Sequence, residues 1–298
     1  MKHPFEIRID AERCKKDGLC AHVCPSRIFT WEAKATPTVS RTDECVLCGQ
    51  CLAICTSEAI QHSELALEHL RRIESAVPAT PEALEAFLRQ RRSVRVYKKK
   101  EVPRDLLERV ATMAGYAPVG AFGGDGWVRR VTIVSGEPAM RRVRELTVAY
   151  MRKLHKALDG VMIRTVAKFV DEAKGGLQTL PDVRMRLAEW DAGRDVVTYD
   201  APAAVFVSST KTTPSPREDC DAALMCMMLT AHAHGLGTCW NGWLGHAAAG
   251  DHVSGFRELH EMLRLPADHG VVQAFTVGWP KLPLHSVPER RTSLTWVE

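Results

Sequence analysis

The sequence predicts an α+β protein of two modules, a small cysteine-rich N-terminal module and a larger C-terminal module of mixed helices and strands. Seven of the ten cysteines fall within the first 55 residues, and residues 1–70 carry a net charge of −2 whereas the remainder carries +6. The length of 298 residues suits one large or two modest domains at about 150 residues each. We place the modules at 1–65 and 85–298, with a linker at 66–84 and a helical insert at about 138–200.

The composition excludes several classes of protein. A hydrophobic fraction of 45% and a charged fraction of 26% are those of a globular protein rather than a disordered one. The net charge of +4 is too small to argue for a nucleic-acid partner. Apolar runs such as Val271–Trp279 are shorter than the ~18–20 residues of a membrane helix, and Met1–Arg13 has no signal-peptide core. We therefore expect a cytoplasmic protein with neither a nucleic-acid nor a membrane partner.

The N-terminal cysteines form an internal repeat. The second group has the spacing C-x2-C-x2-C-x3-C, and the first has C-x5-C-x3-C followed by Pro25. A shift of 31 residues superposes the two groups, and Asp17 then takes the position of Cys48. Such a repeat is identified before any other structure is assigned. The superposed pairs are Cys14 and Cys45, Cys20 and Cys51, and Cys24 and Cys55.

This spacing suits iron–sulfur chemistry. A tight loop with a cysteine at every third residue wraps three thiolates around one cluster, and the fourth cysteine reaches the other cluster. The alternative is a pair of zinc sites, each with four nitrogen or sulfur ligands, but two interleaved loops of this kind are better explained by clusters. Residues 1–62 resemble the bacterial two-cluster ferredoxins. The resemblance implies one [4Fe–4S] cluster on Cys45, Cys48, Cys51 and Cys24, and a second cluster on Cys14, Cys20 and Cys55 with Asp17 at its fourth corner.

Asp17 is the departure from the four-cysteine pattern. A carboxylate is a harder ligand than a thiolate and suits iron–sulfur clusters less well. Either Asp17 binds the fourth iron of a [4Fe–4S] cluster, or that iron is lost and the cluster is [3Fe–4S]. The third alternative is an ordinary loop residue, with water at the corner. We expect direct ligation by Asp17.

The C-terminal module begins with predicted helices and continues with three short strands. Thr80 is a good N-cap and Pro81 suits the first helical position, so a helix is expected to run to about Gln90. An amphipathic helix is predicted over Pro103–Gly115. A further helix is predicted after the capping box that begins at Ser215, with Gly235 as its C′ residue. The β-branched runs predicted as buried strands are Val128–Ser135, Ala203–Ser208 and Val272–Val277.

Three segments of this module are candidates for ligand binding. Arg91–Tyr97 contains three arginines and a serine, which suit a phosphate or the polar edge of a flavin, although a charge run is also typical of a solvated surface. Ala117–Trp127 carries four glycines that allow a ligand to approach the backbone closely, or that simply form a flexible loop. Gly235–Gly245 alternates small residues with Trp240 and Trp243, which are equally well explained as core residues.

The order and spacing of these segments resemble the nitroreductase family of FMN-dependent oxidoreductases over about residues 85–298. The features are R-R-S-x-R, an Ala-Pro loop before a strand, a buried helix leading into G-L-G-x-x-W, a V-G-W-P strand end and a final arginine pair. The resemblance implies an α+β sandwich that dimerises, with FMN at the subunit interface. The whole chain is similar to the ferredoxin-fused members of that family.

The resemblance also implies which residues bind FMN. Cationic side chains near N1 and O2 would stabilise the anionic reduced flavin. The family loop often carries Asn and Gln after its Ala-Pro, but residues 119–125 contain neither, so we expect an unusual substrate pocket covered by the insert. The expected contacts are Arg91, Arg92, Ser93 and Arg95 with the phosphate, ribityl chain or pyrimidine edge, Pro118, Val119 and Gly120 in the loop, the backbone of Asn241, Gly242 and Trp243 near N5, and Arg290 and Arg291 at the phosphate.

The function expected from these features is redox catalysis. One-electron clusters would exchange electrons with FMN, which delivers them in pairs to a small electron-poor acceptor such as a nitro compound, a quinone or an activated alkene. The donor is expected to be a ferredoxin, with NAD(P)H as the alternative, and the G-x-G-x-x-G dinucleotide fingerprint is absent from the sequence. The alternative function is an electron-transfer protein that serves a protein partner and has no small-molecule substrate of its own.

Overall fold

The computed structural model describes residues 5–70, 73, 79–120, 129–160, 171–290 and 292–297. The chain separates into two compact units, one within residues 1–78 and the other comprising residues 79–119 and 129–298. In the described ranges, no helix is long and apolar enough to cross a membrane.

The first unit is a structural repeat. Each copy contributes two short strands and one short helix. The first strand of the first copy pairs antiparallel with the last strand of the second copy, and the two remaining strands pair antiparallel with each other. Ile7 faces His62 in one pair, and Phe29 faces Val39 in the other. The first copy holds β1 (Ile7–Ile9), α1 (Leu19–Val23) and β2 (Phe29–Thr30), and the second holds β3 (Thr38–Val39), α2 (Gln50–Ile54) and β4 (Ile60–His62).

The backbone repeats with the sequence. Residues that share a position in the two copies also share a left-handed conformation, which is uncommon outside glycine. Gly18 and Gly49 have φ of 70° and 71°, and each precedes a helix of its copy. A Cβ at Gly18 would lie 2.3 Å from the Trp31 ring, so this position requires glycine. The other two pairs are Lys16 (57°) with Leu47 (51°) and Arg27 (52°) with Glu58 (52°).

The second unit is a three-layer sandwich around one antiparallel sheet of order β5-β6-β8-β7. The strands predicted from the β-branched runs are all confirmed, and β7 is an additional strand inside the glycine-rich segment. In chain order the elements are α3 (Pro81–Gln90), α4 (Arg104–Thr112), β5 (Arg129–Ser135), α5 (Glu137–Leu158), α6 (Asp171–Asp191), β6 (Ala203–Thr210), α7 (Pro216–Ala233), β7 (Gly237–Trp240), α8 (Gly242–Ala249), α9 (Glu258–Met262) and β8 (His269–Gly278).

Strand β6 shows why the sheet is buried on both faces. Successive side chains of a strand point to opposite faces. Ala204 and Phe206 belong to the core that α5, α6, α8 and α9 complete. Val205 and Val207 belong to the core completed by α4 and α7. A nearly continuous apolar run is therefore what a central strand of this sandwich requires.

The helix ends agree with most of the capping predictions. Thr80 caps α3, its Oγ1 accepting a hydrogen bond from the backbone N–H of Ala83 at 3.2 Å. After α7, Gly235 has φ 73°, and the N–H of Leu236 donates to the carbonyl of Ala231 at 2.9 Å, which completes a Schellman motif. The capping box at Ser215 is wrong: α7 begins at Pro216 as predicted, but Ser215 makes no side-chain cap hydrogen bond, its backbone lying at φ −137° and ψ 56°.

The region predicted as an insert lies between β5 and β6 and contains α5 and α6. Residues 161–170, between these helices, lie outside the described residues. The side chain of Tyr150 is fully buried, and its hydroxyl donates to the carbonyl of Asp251 at 2.6 Å. This bond ties α5 to the turn after α8, so Tyr150 is a structural residue.

Candidate functional site

Four cysteines of the first unit line one cavity. They are drawn from both copies of the repeat, because Cys24 comes from the first and the other three from the second. Cys24 and Cys51 are buried, whereas Cys48 is exposed. Four cysteine thiolates are the usual donor set of a [4Fe–4S] cluster, so the chemistry of this lining fits that cluster. The four are Cys24, Cys45, Cys48 and Cys51.

The remaining three cysteines form the second group. Cys14 and Cys55 both lie close enough to Cys20 to raise its pKa, an effect smaller than that of burial. Cys55 likewise comes from the other copy of the repeat, so the two groups exchange one cysteine each. In the described part of the chain, no group of three or more His, Cys, Asp and Glu side chains could hold a single metal ion.

Burial disfavours the thiolate form of Cys51. Burial raises the pKa of Cys51 to about 12, with smaller contributions from Cys48, Cys45 and Cys24, and a backbone N–H hydrogen bond opposes the shift. Thiolates rather than thiols bind metal. Cluster iron would supply the positive charge that keeps Cys51 deprotonated at neutral pH.

Backbone N–H groups also point at the sulfurs. The Sγ atom of Cys14 accepts a hydrogen bond from the N–H of Lys16 at 3.4 Å, and that of Cys55 accepts from the N–H of Ala59 at 3.3 Å. Hydrogen bonds to cluster sulfurs are one of the ways by which a protein sets the reduction potential. These donors follow from the left-handed residues of the repeat, which turn the chain back over each sulfur.

Asp17 occupies an exposed corner next to the second group. Its Oδ1 accepts a hydrogen bond from the N–H of Leu19 at 3.2 Å, at the start of α1. Cys48, its counterpart in the repeat, is equally exposed. The exposed corner is therefore the same in both copies, and the carboxylate of Asp17 has one oxygen engaged and one available.

In the second unit, the segment after α3 lies along β7. Ser93 pairs with Thr238 in parallel, and the N–H of Val94 donates to the carbonyl of Thr238 at 2.9 Å. Gly237 permits this close approach, because a Cβ there would lie 2.7 Å from a methyl group of Val94. The arginine–serine segment and the glycine-rich segment, which are separated by about 140 residues of sequence, thus form one surface.

Cys239 marks one side of this surface. Burial raises the pKa of its thiol, while the charge of Arg95 and a hydrogen bond with the Ser93 side chain act in the opposite direction. Arg91 also lies near enough to lower that pKa. Ser93 and Arg95 therefore both lie near the Cys239 thiol, two residues apart in the segment.

Arg92 lines a cavity of about 290 Å³ together with its neighbour Arg91, His232 and the beginning of β7. Its Nε atom is buried and has no hydrogen-bond partner among the described residues, although another of its nitrogens donates to the carbonyl of Arg91 at 2.9 Å. An unpartnered buried guanidinium N–H is costly, and a phosphate oxygen would satisfy it.

The turn after β7 contributes backbone donors. Asn241 is the N-cap of α8: its Oδ1 accepts from the N–H of Leu244 at 3.2 Å, and its Nδ2 donates to the carbonyl of Val197 at 2.6 Å. The N–H groups of Gly242 and Trp243 find no acceptor among the described residues, as expected for the first turn of a helix. The side chain of Asn241 is thus structural, while the next two amides can meet a ligand.

The other predicted site residues are placed as follows. Trp243 packs against the core and its Nε1 donates to Asp182 at 3.1 Å. The carbonyl of Pro118 accepts from Arg129 at 3.2 Å, and Val119 follows it, half-buried. Gly120 lies outside the second unit. Arg290 is exposed, and Arg291, like residues 121–128, lies outside the described residues.

Sequence reasoning did not identify Tyr199 and Arg186 as neighbours of this surface. The guanidinium of Arg95 lies over the Tyr199 ring, 5.8 Å from its centroid, and Arg186 donates to the Tyr199 hydroxyl at 3.5 Å. Tyr199 and Asp200 have φ of 59° and 53°, a left-handed pair of non-glycine residues. No sequence signal distinguishes Tyr199 from the other polar residues of the insert.

The comparisons with known proteins agree with this division. Residues 88–279 match the family model described as Nitroreductase family, and residues 6–56 match that of a 4Fe-4S dicluster domain. Comparison with curated proteins finds no match.

Among solved structures, the fold is similar to that of a nitroreductase with bound FMN from Bacteroides fragilis, with 24% identity and a TM-score of 0.54, over 74% of this chain and 100% of that one. A nitroreductase with bound FMN from Desulfitobacterium hafniense matches with 20% identity and a TM-score of 0.50, over 74% of this chain and 100% of that one. Iodotyrosine deiodinase bound to FMN and 3-iodo-L-tyrosine matches with 20% identity and a TM-score of 0.50, over 72% of this chain and 99% of that one.

Proposed function

Because the chain belongs to the nitroreductase family and carries an N-terminal 4Fe-4S dicluster domain, we propose that it is an FMN-dependent oxidoreductase whose clusters exchange electrons with the flavin. Its acceptor is a small electron-poor molecule of the nitro, quinone or activated-alkene class. The observation that carries the proposal is that one chain combines the two cysteine groups with an arginine–serine segment along β7.

The cysteine groups supply the cluster ligands. Cys24 completes the group of Cys45, Cys48 and Cys51, which holds a [4Fe–4S] cluster. Cys55 completes the group of Cys14 and Cys20, which holds either a [4Fe–4S] cluster with Asp17 on its fourth iron or a [3Fe–4S] cluster from which that iron is lost. The support is the shared cavity of the first group and the mutual proximity of the second.

The surface along β7 supplies the flavin contacts. FMN accepts electrons singly from clusters and gives them up in pairs to an acceptor. Ser93 and Arg95 present donors near Cys239, Arg91 lines the same cavity as Arg92, and Arg92 offers a buried N–H for the phosphate. The amides of Gly242 and Trp243 donate to the flavin ring, while Pro118, Val119, Gly120, Arg290 and Arg291 complete the contacts. The proposal includes a cytoplasmic homodimer with FMN at the subunit interface.

The first test is the route by which electrons enter. Purified protein is mixed under anaerobic conditions with NADH, with NADPH and with chemically reduced ferredoxin, and the flavin absorbance is followed by stopped flow. We expect ferredoxin to bleach the flavin band faster than either nucleotide, because the clusters accept electrons one at a time. Flavin that none of the three donors reduces would contradict the proposed oxidoreductase.

Asp17→Cys tests the fourth ligand of the second cluster. A thiolate in place of the carboxylate matches the softer ligand set of the other cluster, so the variant is expected to contain two [4Fe–4S] clusters and to show a changed reduction potential. EPR of the dithionite-reduced and the as-isolated protein measures both. A variant whose cluster types and potentials equal those of the wild type would exclude ligation by Asp17.

A further inference from the structure

The second unit has another cavity besides the one that Arg92 lines, and Arg95 is part of its lining. It encloses about 500 Å³ between the segment after α3, the loop before β6 and the residue that follows Pro280. Two tyrosines and four cations contribute to its lining. The cations are Arg95, Lys98, Lys99 and Lys281, and the tyrosines are Tyr97 and Tyr199.

The lining of this cavity carries more positive than negative charge. Among the described residues, none of the four cations lies within 4 Å of a carboxylate in an ion pair. Two aspartates line the cavity, Asp195 and Asp200. Burial, followed by the charge of Asp195, raises the pKa of Asp200, whereas the charges of Arg144 and Lys99 lower it. Like charges held around one concave space favour an anionic ligand.

Asp195 is engaged elsewhere. Its carboxylate accepts hydrogen bonds from the N–H groups of Val197, Thr198 and Asp200, each at 2.9 Å. The Thr198 hydroxyl donates to it as well, at 2.5 Å, and the buried Arg144 lies 4.0 Å away. Asp195 therefore serves the loop rather than the lysines.

This network holds Tyr199 in place. Two consecutive left-handed non-glycine residues are strained and persist only where the surroundings determine them. The hydrogen bonds to Asp195 constrain the backbone of this loop. Arg95 contacts the ring of Tyr199, and Arg186 donates to its hydroxyl. The Tyr199 ring is therefore held in one position in the lining of the cavity, next to the four cations.

We propose that this cavity binds the carboxylate of an aromatic acceptor, with Lys98 and Lys281 meeting the acid group and Tyr199 packing against the ring. The inference rests on the proposed function and names the substrate class within it, an electron-poor aromatic acid. Asp195 is a positioning residue that acts through Tyr199.

Equilibrium binding tests the site without any electron transfer. Benzoate and benzamide have the same ring and nearly the same shape but differ in charge, so isothermal titration of both into the FMN-loaded protein isolates the contribution of the carboxylate. We expect benzoate to bind at least ten-fold more tightly. The variant Lys98→Gln/Lys281→Gln should lose most of that preference, whereas Lys156→Gln, an exposed lysine of α5 remote from the cavity lining, should keep it.

Steady-state reduction provides the second arm. The ratio of kcat/KM for 4-nitrobenzoate to that for 4-nitrobenzamide is expected to fall about five- to ten-fold in Lys98→Gln/Lys281→Gln through KM rather than kcat, because the lost contacts are remote from the reacting group. Equal binding of benzoate and benzamide, or a preference unchanged in the double variant, would overturn the inference. Benzoate binding as expected, with no reduction of either nitro compound, of a quinone or of an activated alkene, would overturn the proposed function and leave the anion site standing.

Discussion

Replacing Cys24 with serine is expected to remove the cluster held by Cys45, Cys48 and Cys51, and to leave the cluster next to Cys24 in sequence intact. Cys20 is only four residues away, yet Cys24 lines the cavity of the other group. Cys20→Ser should therefore have the complementary effect. Quantitative EPR and iron analysis of both purified variants measure which cluster is lost, and each variant should retain about half of the wild-type iron because each group binds one cluster.

Cys51→Ser and Cys55→Ser serve as matched comparisons. Cys51→Ser should reproduce the spectrum of Cys24→Ser, since both residues belong to one group. Cys55→Ser should reproduce that of Cys20→Ser. If Cys24→Ser and Cys20→Ser instead lost the same cluster, the exchange of cysteines between the two copies would be refuted. Cys226→Ser, in the second unit, controls for the loss of a thiol as such.

The second large effect is expected at the surface along β7. Arg91→Ala/Arg95→Ala should weaken FMN binding by about 100-fold or more, because hydrogen bonds to charged groups contribute about 1.5–3 kcal/mol each and about 1.4 kcal/mol corresponds to a ten-fold change in affinity. FMN fluorescence during titration of the flavin-free protein measures the dissociation constant. The iron content should stay at the wild-type value, since both residues lie in the second unit.

Arg104→Ala is the control for this variant. Arg104 is an exposed residue of α4 that pairs with Glu108 at 2.8 Å, and the structure gives it no contact with β7. Its replacement should leave the FMN dissociation constant within about two-fold of the wild-type value, as is usual for a surface substitution. FMN binding by Arg91→Ala/Arg95→Ala that equals binding by Arg104→Ala would show that the arginine–serine segment does not hold the cofactor.

The sequence predicted the elements whose signals are local. The β-branched run of β6 reads as a buried strand, and Thr80 followed by Pro81 reads as a helix start, since caps and periodicity depend only on neighbouring residues. Strand β7 was not predicted, because its four residues include Gly237 and pair with a distant strand, and tertiary pairing outweighs the low strand propensity of glycine. The capping box predicted at Ser215 is absent, because the backbone there does not turn the hydroxyl toward the helix.

In the candidate site too, the features with local sequence signals were predicted and those that depend on distant contacts were not. The cysteine repeat predicted the two ligand groups because a cluster imposes a fixed spacing on each loop. The structure adds that Ser93 meets Thr238, which no local pattern reveals. Tyr199 stayed unidentified because its importance comes from Arg95 and Arg186, residues remote in sequence, and from a left-handed backbone that Asp195 imposes.

Electron exchange between the clusters and FMN is the central claim, and a comparison of two proteins under one donor tests it most directly. Wild-type protein and Cys20→Ser/Cys51→Ser, both loaded with FMN, are mixed anaerobically with reduced ferredoxin in a stopped-flow spectrometer. In the wild type, bleaching of the clusters should precede reduction of the flavin. In the double variant, ferredoxin should leave the flavin oxidised while dithionite still reduces it. Equal rates of flavin reduction in the two proteins would contradict the claim.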